Sequence, residues 1–247
     1  MGPPLSDARS VALARTKIQM IAQDPYESLN PRMRIGEIVT EPLVINRLTG
    51  DDMRQRAVRA LERAGLAPGT DFVDRLPHEL SGGQRQRVVI AAALSVQPRL
   101  LIADEPVSML DVSVRAGILN LLKRLAAEDG LGVLMITHDL STVAAYSDRI
   151  AVMYLGRIVE TGPTLEVIRR PAHPYTEALL SVVPGHDPDH VSTPILLAGE
   201  TPDAAHIPSG CRFHPRCPKA FEDCPLTEPL LSPVGDGHSA ACQLVSS

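Results

Sequence analysis

Leu80-Ser81-Gly82-Gly83-Gln84 and, beginning 20 residues after Leu80, Leu100-Leu101-Ile102-Ala103-Asp104-Glu105-Pro106 are the stretches on which the fold turns. Ser81 followed by Gln84 is a capping-box pattern, which predicts a helix from Gly82 to about Ser95. The two glycines let a backbone approach an anion where unpaired N–H groups and the positive dipole end of that helix meet. The second stretch is an apolar run of strand length that stops at two adjacent carboxylates. In open parallel sheets, ligands bind at the carboxyl edge of the strands. Neighbouring strand residues face opposite ways, so Asp104 and Glu105 are placed for different tasks. One suits Mg²⁺, which takes one or two carboxylates plus phosphate oxygens. The other suits orienting or deprotonating a water. An Asp-Glu pair at a strand end is more often two solvated acids, and a capped glycine loop is common. Their spacing in one chain makes the combination specific.

Outward from this pair the periodicities alternate. Residues 16–23 read as a short strand, 51–64 as a helix stopped by Gly65, and 99–104 as a strand. Asp111 can cap a helix that carries Val114, Ile118, Leu122 and Leu125 on one face. The apolar run 131–137 suits a buried parallel strand. Asp139 can cap a short helix ending near Ser147, and 149–160 reads as two strands around a turn at Leu155-Gly156. Pro163 suits the first turn of a further helix. Strands alternating with helices predict an α/β layer with a mostly parallel sheet. Beyond about residue 183 proline and glycine become frequent and periodicity fades, so a boundary is expected there, followed by an irregular tail.

Composition excludes several classes. With 44% apolar and 21% charged residues the 247-residue chain is an ordinary globular sequence. A net charge of −5 argues against nucleic acid as the partner, and 3% aromatics without Trp leave no stacking platform for single strands. No apolar run approaches the roughly 18 residues of a membrane span. No basic stretch followed by an apolar run marks a signal peptide at the N-terminus.

Two more features carry chemistry. His138 ends the run 131–137, and in a parallel sheet it can lie beside the Asp-Glu strand, within reach of a phosphate and a developing charge; a lone histidine at a strand end is more often structural. All four cysteines, Cys211, Cys217, Cys224 and Cys242, fall in the tail with the spacing Cys-x₅-Cys-x₆-Cys-x₁₇-Cys. Without a secretion signal, disulfides are a poor explanation. Four thiolates can hold zinc or an iron–sulfur cluster, but no pair has the close spacing of usual structural zinc sites. Cluster, zinc and unligated thiols all remain open, with His214 and His238 as further candidate ligands.

These motifs resemble the ATP-binding subunits of ABC transporters. Leu80 to Gln84 matches that family's signature motif, Leu100 to Glu105 its Walker B strand, Ser108-Met109-Leu110-Asp111 its D-loop, His138 its switch histidine and Gln23 its Q-loop glutamine. The likeness spans about residues 17–183. Gln23-Asp24-Pro25-Tyr26, Ser28-Leu29-Asn30-Pro31 and His173-Pro174-Tyr175-Thr176 with the cysteine-bearing tail are similar to the oligopeptide/dipeptide importer branch, which also includes importers of nickel and some oligosaccharides.

The resemblance implies an ABC-type nucleotide-binding domain over 1–183, with a helical subdomain at about 30–95, and a peptide-importer tail over 184–247. It implies ATP and Mg²⁺ as cofactors, with Asp104 and Gln23 on the Mg²⁺ side and Glu105 and His138 catalytic. Ser81, Gly82, Gly83, Gln84 and Asp111 would contact nucleotide across a dimer. It also implies a [4Fe–4S] cluster on the tail cysteines, favoured over zinc because some members carry one. The partners would be a second ATPase subunit, membrane permease subunits and, indirectly, an extracytoplasmic substrate-binding protein, at the cytoplasmic face of the membrane. One departure stands out: nowhere do the 247 residues contain Gly-x-x-x-x-Gly-Lys-Ser/Thr, the loop that cradles phosphates. A truncated chain is therefore expected. The alternative is a non-catalytic subunit that lends only its signature motif to a partner's ATP site. A DNA-acting relative is disfavoured by the lack of any long heptad run, and a metal-binding module attached to a decayed ATPase is a further alternative.

Overall fold

The computed structural model describes residues 8–50, 52–183, 194–203 and 205–245. Compactness divides the chain into two units, Met1–His138 and Asp139–Ser247. The boundary expected at 183–184 adjoins residues 184–193, which lie outside the described residues.

The first unit runs α1 (Ala8–Lys17), β1 (Ile18–Ile21), α2 (Pro25–Ser28), α3 (Ile35–Ile45), α4 (Met53–Arg63), α5 (Gly82–Ser95), β2 (Leu100–Asp104), α6 (Val112–Asp129) and β3 (Gly132–Ile136). Its three strands form a parallel sheet in the order β1-β2-β3. The strand expected over 16–23 is shorter, because Thr16 and Lys17 close α1, where the Thr16 hydroxyl donates to the Leu13 carbonyl. α3 lies inside the expected helical subdomain but has no breaker-free pattern to announce it. Pro42 sits within it, while Ile35, Ile38, Val39 and Leu43 form its buried face. α3, α4 and α5 pack together around Leu43, Leu61, Ile90 and Leu94.

Capping follows the sequence closely. Ser81 accepts the Gln84 N–H at 3.4 Å and the Gln84 side chain accepts the Ser81 N–H at 3.0 Å. Asp111 accepts the Ser113 and Val114 N–H groups, both at 3.1 Å, at the start of α6, and Gly130 closes that helix with φ +62.

The sheet is asymmetric. Ile21, Leu101 and Ala103 lie on a fully buried face. On the other face, registered as Ile18↔Leu100 and Met20↔Ile102↔Leu134, the side chains of Ile18, Met20, Leu134 and Ile136 remain 43 to 58% exposed. Parallel sheets ordinarily bury both faces.

The second unit runs α7 (Leu140–Tyr146), β4 (Arg149–Tyr154), β5 (Arg157–Pro163), α8 (Thr164–Arg169), α9 (Pro174–Ser181), β6 (Ser232–Gly235) and β7 (His238–Ala240). Its antiparallel sheet has the order β4-β5-β7-β6. The β4–β5 turn uses positive φ at both Leu155 and Gly156, as a tight hairpin needs. The tail is largely irregular, yet it supplies two strands of this sheet and the buried Phe213. Phe213 packs on Tyr154 and Tyr175 with ring centroids 5.2 and 5.3 Å apart. Ile150, Val152, Val159 and Val167 complete that core.

Candidate functional site

Three parallel strands bring the segments that follow them to one edge. After β1 comes Gln23, after β2 comes Glu105, after β3 comes His138. Glu105 is the centre of the group. Gln23 Nε2 donates to its Oε2 at 2.9 Å, and His138 Nδ1 lies 2.8 Å from its Oε1. The backbone holds the carboxylate there: Glu105 N–H donates to the Ile136 carbonyl at 2.9 Å, and the Ser108 hydroxyl donates to the Glu105 carbonyl at 3.1 Å. Glu105 has φ +42, a conformation that costs a non-glycine residue energy and is commonly kept where a site requires it. Its side chain is 25% exposed and that of His138 is 77% exposed, so the group is open to a ligand.

Asp104, the last residue of β2, shares a sheet face with Ile102 and Ile136, because side chains alternate along the strand. The Gln23 amide at this edge contacts the Glu105 carboxylate; a carboxylate and an amide oxygen are donors of the kind a hard cation takes alongside waters and phosphate oxygens. If Mg-ATP binds at this edge, Asp104 and Gln23 are the candidate holders of the cation. A bound Mg-nucleotide supplies the phosphoryl group to be transferred.

The other predicted residues form a second group at two helix starts. Ser81, Gly82, Gly83 and Gln84 open α5, and Asp111 opens α6. A Cβ at Gly83 would lie 2.3 Å from Val114 Cγ1, so this glycine allows the two helix starts to approach. The Asp111 carboxyl is held below the usual carboxylate range, first by the Ser113 hydroxyl and next by the Val114 N–H. Its Oδ1 is thus occupied by capping.

The four cysteines, separated by up to 31 positions in sequence (Cys211 to Cys242), line one pocket together with His173, Phe213, His214 and Lys219. None is in a disulfide. Burial pushes the thiols of Cys211, Cys217 and Cys242 up. The donors are soft thiols of the kind that select zinc or iron–sulfur clusters. Among the described residues, however, no three His, Cys, Asp or Glu side chains are arranged to hold a metal ion. His214 lines the pocket, with Nδ1 2.8 Å from the Cys211 carbonyl. His238 is not in its lining: its Nε2 lies 2.7 Å from the buried carboxylate of Glu160. Glu160 has no motif around it, so its role is invisible in sequence.

Solved structures of ATP-binding cassettes share this fold. The chain superposes on CbiO1 of Clostridium perfringens, part of the ABC transporter complex CbiONQ, with TM-score 0.59 and 32% identity, covering 66% of this chain and 64% of that one. It superposes on the cassette MJ0796, solved as a dimer in a post-hydrolysis state with ADP and Pi, with TM-score 0.55 and 32% identity over 65% of this chain and 68% of that one. The ABC transporter family profile matches residues 2–108, and the oligopeptide/dipeptide transporter C-terminal region matches residues 159–224. The dipeptide transport ATP-binding protein DppF of Haemophilus influenzae is 48% identical over 238 residues, which is 96% of this chain and 72% of DppF. The putative oligopeptide transport ATP-binding protein YkfD of Bacillus subtilis is 50% identical over 244 residues, 97% of this chain and 73% of YkfD. The chain belongs to the ABC transporter family, among the ATP-binding subunits of its oligopeptide/dipeptide branch.

Proposed function

We propose that this chain is the energy-coupling ATPase subunit of an importer for di- or oligopeptides. It would act beside a second ATPase subunit and membrane permease subunits at the cytoplasmic face of the membrane, served indirectly by an extracytoplasmic binding protein. The observation that carries the reading is the Glu105 carboxylate held between Gln23 and His138 at the carboxyl edge of a parallel sheet. There Glu105 orients and deprotonates the attacking water, His138 contacts the γ-phosphate, and Asp104 with Gln23 serves Mg²⁺. Ser81, Gly82, Gly83, Gln84 and Asp111 face the nucleotide held by the partner ATPase. Relatives named as peptide-transport ATP-binding proteins support the substrate class. Among the described residues no helix is long and apolar enough to cross a membrane.

A second reading has its own support. The 247 residues hold no glycine loop with lysine, and the sheet exposes an apolar face. Both fit a chain whose phosphate cradle comes from other polypeptide, or one that lends only its signature group to a partner. Equilibrium titration of the purified chain with Mg-ATP separates the two. Saturable binding places a phosphate site within these residues. No binding, with stimulation of an intact partner ATPase, assigns the signature-only role.

For the tail we propose that the four thiols bind one metal centre, a [4Fe–4S] cluster or else zinc. Iron and zinc content with the visible spectrum of anaerobically purified protein decides between them. A metal-free preparation that takes up neither under reducing conditions removes the proposal.

A further inference from the structure

Glu160 is a fully buried acid that the ATPase chemistry does not use. Its carboxylate takes three hydrogen bonds. Oε1 receives the Ala172 N–H at 2.7 Å and lies 2.7 Å from His238 Nε2, and Oε2 receives the His173 N–H at 2.9 Å. Each contact leads to a wall of the thiol pocket. His238 opens β7, whose Ala240 is registered with Glu160 and whose next residue, Ala241, donates to the Val159 carbonyl at 2.7 Å. Cys242 follows at once. On the other side, the bonds to the Ala172 and His173 N–H groups hold the backbone that carries the His173 ring, which lines the pocket beside Phe213. Cys211 and Cys224 are tied differently, by the Cys211 N–H donating to the Cys224 carbonyl at 2.8 Å. Gly210 has φ +61, and a Cβ there would lie 2.3 Å from the Cys224 oxygen.

We propose that Glu160, paired with His238, is a positioning residue that closes the thiol pocket by holding the Cys242 and His173 walls onto the edge of β5. The proposal deepens the reading of the four thiols as one site and rests on it. A buried carboxylate is tolerated only when its hydrogen bonds are satisfied. Here the groups that satisfy it are the ones that bring a distant cysteine to its partners. By linkage, a ligand that binds the closed pocket also strengthens the contacts at Glu160.

The test is site-resolved alkylation of the metal-free 247-residue chain with N-ethylmaleimide, read by mass spectrometry. Glu160→Gln keeps the shape but puts an amide nitrogen, which cannot accept, where one carboxylate oxygen receives the Ala172 or the His173 N–H, so one of those bonds is lost and Cys242 should react about tenfold faster relative to Cys211 and Cys224. Val143→Ala, in α7 and packed against the core of the same unit, with no strand register to Glu160, reports general loosening and should speed all four thiols alike. His238→Gln should reproduce the selective change if Glu160→Gln fails to fold. A uniform increase matching Val143→Ala, or no increase at Cys242, overturns the proposal. Co²⁺ titration of the same proteins gives the second readout, with thiolate-to-cobalt absorption about tenfold weaker in apparent affinity for Glu160→Gln. Absence of cobalt binding in every protein removes the metal reading of the pocket, while the alkylation ratios still decide the role of Glu160.

Discussion

Gln23 Nε2 donates to Glu105 Oε2 at 2.9 Å, although 82 residues separate them in the chain. The pairing exists because β1 and β2 are adjacent and parallel, which places the residues after each strand at the same edge. His138 reaches the other oxygen of the same carboxylate from the end of β3. One acid therefore links three segments of the chain.

Replacing Glu105 by Gln keeps both neighbours within hydrogen-bonding reach but removes the base. In the assembled transporter, phosphate release should fall at least about a hundredfold, with nucleotide binding to the complex retained. Full turnover in a phosphate-release assay would take Glu105 out of the catalytic role.

Gly83 supports a packing prediction independent of nucleotide. A methyl group there would meet Val114 Cγ1 at 2.3 Å. Gly83→Ala should destabilise the chain by about 1–3 kcal/mol through overpacking, measured by urea denaturation. Adding Val114→Ala should recover part of that loss, because it removes the methyl groups in the way.

His173 makes stability depend on acid. Burial pushes its ring down to about 4, against the opposing pull of Glu160 and Glu177, and its Nδ1 accepts the Tyr175 N–H at 3.1 Å as the cap of α9. The unfolded chain protonates this ring below about pH 6.5 while the folded chain does not. Stability contributed by the neutral ring is therefore present above that pH and falls as pH drops towards about 4, the folded value. Melting temperatures across this window should show the loss, and His173→Asn, which still offers a cap acceptor but does not titrate, should flatten it.

The tail thiols give a proton-coupled prediction. Burial keeps Cys211, Cys217 and Cys242 protonated at neutral pH. Zinc uptake should then release protons and tighten as pH rises, both visible in a titration with a pH indicator. Cys224→Ser should weaken uptake, and equal affinity in this variant would place the metal elsewhere.

The sequence by itself determined the parallel-sheet layer and the helices opened by Ser81, Asp111 and Asp139, and it singled out Asp104, Glu105 and His138 as candidates. It could do so because these features rest on local rules: capping chemistry, strand periodicity and the order of motifs. The individual helix α3, with Pro42 inside it, had no pattern of its own to announce it. Only the tertiary structure decided which distant residues meet. The four cysteines show no close pairs in sequence, yet one pocket collects them. His238, an obvious metal-ligand type, turns instead to Glu160, an acid with no signal around it. Burial sets those outcomes: a charge taken out of water must find partners, and which partners lie within reach is fixed by strand pairing across 78 positions, not by neighbours in the chain.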